Sequence, residues 1–146
     1  FGTEAVKEML VKMGNQAGSD AARDNIAWAI GLITFNNDTN KALFGTEAVK
    51  EMLVKMGNQA SSDAARGNIA VAIAALTDNN VPNQELFGTE VVKEMLMKMS
   101  NEVGSFYQAY YISRPIYELG FIDYWSGWNR EDFIFINLLL RKVNCC

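Results

Sequence analysis

FGTEAVKEMLVKMGNQA, residues 1–17, returns unchanged at residues 44–60 and, with a few replacements, as FGTEVVKEMLMKMSNEV at residues 87–103. The spacing is 43 residues, and over one full period residues 1–43 and 44–86 agree at 32 of 43 positions. Agreement that close marks a duplicated unit, so each period reads as one supersecondary module. A period of this size suits a helical repeat or a four-stranded propeller blade, and periodicity decides between them. Val6, Met9, Leu10 and Met13 fall at i, i+3, i+4 and i+7, the spacing that lines one side of a helix, while Glu4, Lys7, Glu8 and Lys12 fall elsewhere. The module is helical.

Outward from this stretch, Thr3 is placed to cap the helix, Glu4 suits the positive end of its dipole, and Gly14-Asn15 supplies a left-handed stop. Glu8 and Lys12 form an i,i+4 pair. Ser19 is a second N-cap, followed by a longer apolar stripe through Ala22, Ile26, Ala29, Ile30 and Ile33 that ends near Thr34. Beyond Asn36-Asn37, Thr39 to Phe44 holds one or two further turns before Thr46 restarts the cycle. The expected fold class is all-α, with residues 1–105 forming two full units and a partial third, and residues 106–146 forming a divergent C-terminal segment.

The order N-x-x-L-F-G, AVKEMLVKM and SDAARDNIAWAIGLIT resembles an armadillo repeat, in which a short first helix ends at a glycine and the third carries an alanine-rich core. That resemblance implies a right-handed superhelical solenoid whose third helices line a groove for an extended segment of a partner protein. The chain is expected to be a cytoplasmic or nuclear scaffold without cofactor or catalytic residues. Importin-alpha repeats carry W-x-x-x-N on this helix. Trp28 matches the tryptophan, but Leu32 stands at the asparagine position, which argues against recognition of nuclear localisation signals.

The two copies supply an internal comparison. Their third helices differ at Asp24/Gly67, Trp28/Val71, Gly31/Ala74, Leu32/Ala75 and Phe35/Asp78, apart from the conservative Ile33/Leu76. At about 100° per residue these five pairs fall on one stripe, opposite the shared Ala22, Ile26, Ala29 and Ile30. A stack must keep the face that buries area between units and is free to vary the face that does not, so the altered stripe is expected to face the groove. The candidate partner-binding residues are therefore Asp24, Trp28, Leu32 and Phe35 in the first unit and Val71, Ala75 and Asp78 in the second. Asn25 and Asn68, shared by both, are placed at the groove edge to donate to a peptide backbone. Trp and Phe at accessible positions are the side chains that become binding anchors.

At residue 106 the composition changes, because 11 of the 16 aromatic residues lie in residues 106–146. Pro115 stands where Ala29 stood, so the third long helix is not expected to be a copy of the first two. An irregular aromatic stretch holding Trp125 and Trp128 is expected, then a last helix from Asn129 to about Lys142. The segment is expected to cap the stack, since a terminal unit otherwise exposes its core. The closing Cys145-Cys146 resembles the doubly lipidated end of Rab-family GTPases, although no P-loop accompanies it.

Composition narrows the function classes. The chain has no His, which removes the commonest neutral-pH base and the usual structural zinc sets. The carboxylates Glu4/Glu8, Glu47/Glu51 and Glu90/Glu94 lie opposite the apolar stripe among lysines, a solvated face rather than an acid–base pair. A net charge of −4 argues against nucleic acid, and the lack of a long apolar run against a membrane span. The expected partner is a protein segment, apolar or mildly basic, because the stripe offers Asp24 and Asp78 and no base. Phe1 opens in mid-unit, so the chain reads as a fragment of a longer repeat protein or as a subunit that self-associates through open repeat ends.

Overall fold

The computed structural model describes residues 2–121, in which all regular structure is α-helical. Eight helices follow one another: α1 (Glu4–Gln16), α2 (Asp20–Thr34), α3 (Asp38–Phe44), α4 (Glu47–Gln59), α5 (Asp63–Thr77), α6 (Val81–Phe87), α7 (Glu90–Glu102) and α8 (Phe106–Glu118). The expected last helix from Asn129, the residues Trp125 and Trp128, and the Cys145-Cys146 end lie outside the described residues.

The caps form where the sequence places them in the first two units, whereas Thr89, the counterpart of Thr3 in the third, makes no side-chain cap bond. Thr3 Oγ1 accepts the Val6 N–H at 3.3 Å, Ser19 Oγ that of Ala22 at 3.2 Å, and Ser62 Oγ that of Ala65 at 3.2 Å. Asn37 and Asn80 cap the short helices α3 and α6 at 2.9 Å each, just after Asn36 and Asn79 take the left-handed conformation at φ 50° and 51°. Asn tolerates that conformation better than most residues, and each cap is worth about 1 kcal/mol.

Gly14 does not stop α1. The helix runs two residues further and ends at Ala17, whose N–H reaches the Gly14 carbonyl at 3.3 Å. Gly14 is buried inside the helix, and a Cβ there would collide with the Met52 thioether; Gly57 stands in the same relation to Met95. The glycine permits close approach of neighbouring helices. The expected Glu8–Lys12 pair is replaced by one a turn earlier, with Lys7 on Glu4 at 2.7 Å, Lys50 on Glu47 at 2.6 Å and Lys93 on Glu90 at 2.6 Å. The counterparts of Lys12 work between units: Lys55 Nζ donates to the Asn15 carbonyl and Lys98 Nζ to that of Asn58, both at 2.7 Å.

The third long helix also differs from expectation, because α8 forms with Pro115 inside it. Ser105 caps it just as Ser19 and Ser62 cap their helices, accepting from Gln108 at 3.4 Å. An interior proline costs about 3 kcal/mol. Ile112 and Ile116, both fully buried, each contribute about 1.5–3 kcal/mol by that burial, so packing outweighs the proline.

The helices form two layers. In one, α4 lies between α1 and α7; in the other, α5 lies between α2 and α8, and the α1/α2, α4/α5 and α7/α8 contacts join the layers. Between them sits a single core containing Phe44, Met52, Leu53, Met56, Ile69, Ile73, Met95 and Leu96. Carboxylates tie the layers lengthwise. Asp20 accepts from the Ser61 N–H and Oγ, both at 2.9 Å, and from the Ser62 N–H, while Asp63 accepts from Gly104 at 3.1 Å and Ser105 at 2.8 Å. Asn83 Nδ2 bridges the carbonyls of Lys41 and Leu76 at 2.9 and 2.8 Å.

Candidate functional site

The sequence of α2 leaves one side without a neighbour. Ile26, Ala27, Ile30, Gly31 and Thr34 point into the core or toward α5, and the residues between them turn outward. Trp28, Leu32 and Phe35 are 48%, 61% and 65% exposed, three large apolar side chains at i, i+4 and i+7 on one solvent-facing stripe. Asn25 is exposed beside them.

The stripe changes character on α5. Val71 and Asp78 are partly exposed, but Ala75 is buried at 7%. The structure therefore brings Trp28, Leu32, Phe35, Asn25, Val71 and Asp78 to the surface and withdraws Ala75, since α5 has a helix on either side and its small side chains leave nothing projecting. Asp24 and Asn68 bond to each other, Asn68 Nδ2 donating to Asp24 Oδ1. Both are half-buried, and their pairing joins α2 to α5.

Sequence reading missed the continuation on α8. Because α8 keeps the repeat register, Arg114 follows Trp28 and Val71 in one row, and Glu118 follows Leu32 and Ala75 in the next. The signal was Ser105, one full period beyond Ser62, and the proline four-fifths of the way along the helix obscured it. Arg114 is exposed and lies 3.6 Å from Glu118, which also accepts from Thr77 Oγ1 at 3.4 Å. Burial pushes the Glu118 carboxyl above the usual range and nearby Asp78 adds to the rise, while Arg114 and Thr77 act against it.

At the start of α8, Tyr107 and Tyr111 meet edge to face with ring centroids 5.0 Å apart, and Tyr111 donates to the Tyr107 hydroxyl at 2.8 Å. That hydrogen bond first, and burial second, push the Tyr111 hydroxyl up to about 12. The surface thus runs from an aromatic and aliphatic stripe on α2, through a shallow middle on α5, to tyrosines and one arginine–carboxylate pair on α8. Such an arrangement offers apolar contact and a few fixed charges. Among the described residues no cluster of three or more His, Cys, Asp or Glu is placed to hold a metal ion, and no helix is long and apolar enough to cross a membrane. No protein-family model, no curated protein and no solved structure matches the chain.

Proposed function

We propose that the chain is an armadillo-like helical repeat that binds a segment of another protein along the stripe of its third helices, as a non-enzymatic scaffold of the cytoplasm or nucleus. The observation that carries this reading is the exposure of Trp28, Leu32 and Phe35 side by side on α2. Large apolar side chains that gain nothing from the fold at their positions are the usual anchors of binding surfaces. The internal comparison supports it in part, since Trp28, Leu32 and Phe35 changed between the units and are exposed, while the changed Asp24, Gly31 and Ala75 lie at contacts between helices. The segment is expected to set apolar side chains against α2 and to carry a basic residue toward Asp78 and Glu118, whose carboxylates outnumber the single Arg114.

A displayed library of random peptides, selected in parallel on the wild-type chain and on Trp28→Ala, tests the reading. Enrichment of apolar and basic segments on the wild type alone, with identical circular dichroism for both proteins, is the expected result. Equal enrichment on both proteins, or none on the wild type, would remove the stripe as a binding surface.

A further inference from the structure

The open side of α1 and α2, which adjoins the Trp28 stripe, carries a second surface whose covering the molecule itself specifies. Met9 and Met13 are 51% and 47% exposed, whereas their counterparts Met52, Met56 and Met99 are fully buried. The sequence around Met52 and Met56 is the same as that around Met9 and Met13, so the difference lies in what covers them.

Both internal interfaces use the same three devices. The first is a methionine seated over a glycine, Met52 on Gly14 and Met95 on Gly57. The second is a lysine donating to a carbonyl near the end of the preceding unit's helix, Lys55 to Asn15 and Lys98 to Asn58. The third is an aspartate of the preceding unit accepting N–H groups from the loop before the next long helix, Asp20 from Ser61 and Ser62, and Asp63 from Gly104 and Ser105. The receiving half of all three stands open on the first unit, where Met9, Lys12, Gly18 and Ser19 are exposed.

We infer that the open side of α1 and α2 docks a further helical unit of this repeat, one that presents a glycine in the place of Gly14 and an aspartate in the place of Asp20. A second copy of the chain does not match. Its corresponding donor face is that of α7 and α8, where Ser100 replaces the glycine and Phe106 replaces the aspartate. A serine Cβ obstructs the methionine, and a phenylalanine accepts no hydrogen bond. The stack is therefore directional, receptive at α1 and closed to further units of its own kind at α8. The added unit would also reach part of the proposed groove, since Val71, the counterpart of Trp28, lies against Gly31 of α2, and Asn68, the counterpart of Asn25, bonds to Asp24. The methionine readout below is taken on α1, away from that stripe.

The test uses the full chain preceded by one further copy of residues 1–43, with leucine in place of that copy's methionines so that they stay silent. Dilute peroxide is applied and sulfoxide is followed residue by residue by mass spectrometry. In the unextended chain Met9 and Met13 should oxidise fast and Met52 and Met56 slowly. In the extended chain Met9 and Met13 should fall to the slow rate, and Gly14→Leu made in the added copy should return them to the fast one. Slow oxidation of Met52 and Met56 throughout shows that the original units remain folded. Fast oxidation of Met9 and Met13 in the extended chain overturns the inference, and so does protection that survives both Gly14→Leu and Asp20→Ala in the added copy. Protection that grows with concentration in the unextended chain would give the face to a second copy and overturn the occupant assigned here.

Discussion

Helices α2 and α5 have nearly the same sequence and different surroundings. α5 is held between α2 and α8, and Ala65, Ala72 and Ala75 are all buried; α2 has a long-helix neighbour on one side, and Ala22 and Ala29 are only partly covered. The same contrast separates α4, with buried Met52 and Met56, from α1, with exposed Met9 and Met13. Burial in this molecule is thus a property of a unit's neighbours rather than of the unit. Where repeated units pack side by side, each contributes its own folding term and an interface term, and a unit packed on one side only has one interface fewer.

The largest expected effect breaks or sharpens that contrast directly. Met52→Ala removes a fully buried side chain between α1 and α4 and should destabilise the protein by about 2–5 kcal/mol. Met9→Ala, the same change one period earlier, should stay within about 0.5 kcal/mol. Urea unfolding of both variants checks the pair, and equal losses would mean that the two methionines share one environment.

Glycines give the next size of effect. A Cβ at Gly57 would meet Met95, a flexible side chain that must shift, and overpacking of this kind costs about 1–3 kcal/mol in Gly57→Ala. Gly18→Ala, where nothing lies within 4 Å, should change stability by less than about 0.5 kcal/mol. Thermal melts of the two variants should separate clearly.

The helices themselves were legible because their apolar period, caps and Asn-Asn turns are all local. Ser19, Ser62 and Asn37 each bond within their own first turn, so no distant residue is needed to read them. Gly14 was misread because a helix stop and a close helix contact look alike in one dimension, and only Met52 tells them apart. Pro115 was misread for the opposite reason, since its local cost is visible and the burial of Ile112 and Ile116 that outweighs it is not. The candidate site was legible on α2, where side chains are large and one neighbour is missing. It was not legible for Ala75, withdrawn between helices, nor for Asp24 and Asn68, whose partners are each other.

A smaller effect concerns the carboxylates that link units. Asp20 loses some solvation, which by itself would raise its pKa. Hydrogen bonds from the Ser61 hydroxyl, Arg23 and the Ser61 and Ser62 N–H groups outweigh that loss and hold the carboxyl well below the usual range. A depressed folded-state pKa contributes stability above the unfolded value, about 4, and loses it as pH falls further toward the folded value. Asp20→Ala should therefore cost about 1–2 kcal/mol at neutral pH and reduce the loss of stability on acidification below about pH 4. Asp63→Ala should cost less, since Asp63 receives two backbone N–H groups and no hydroxyl across its interface. Urea midpoints between neutral pH and pH 3 measure both.

Glu118 supplies the smallest effect and the opposite sign. It occupies on α8 the place of exposed Leu32 and buried Ala75, and burial raises its pKa where hydrogen bonds lower that of Asp20. A carboxyl raised in the folded state stabilises most when protonated, so its contribution is fully present below the unfolded pKa and lost as pH rises through the folded value. At neutral pH the ionised group is a net burden, which Arg114 at 3.6 Å only partly relieves. Glu118→Gln keeps an acceptor for Thr77 and removes the charge, so it should raise the neutral-pH melting temperature slightly and leave the acidic one unchanged. A lower melting temperature at neutral pH would show that the Arg114 pair, rather than burial, dominates at this position. Glu118 would then hold α8 in a stabilising ion pair rather than carry a half-buried charge at a cost.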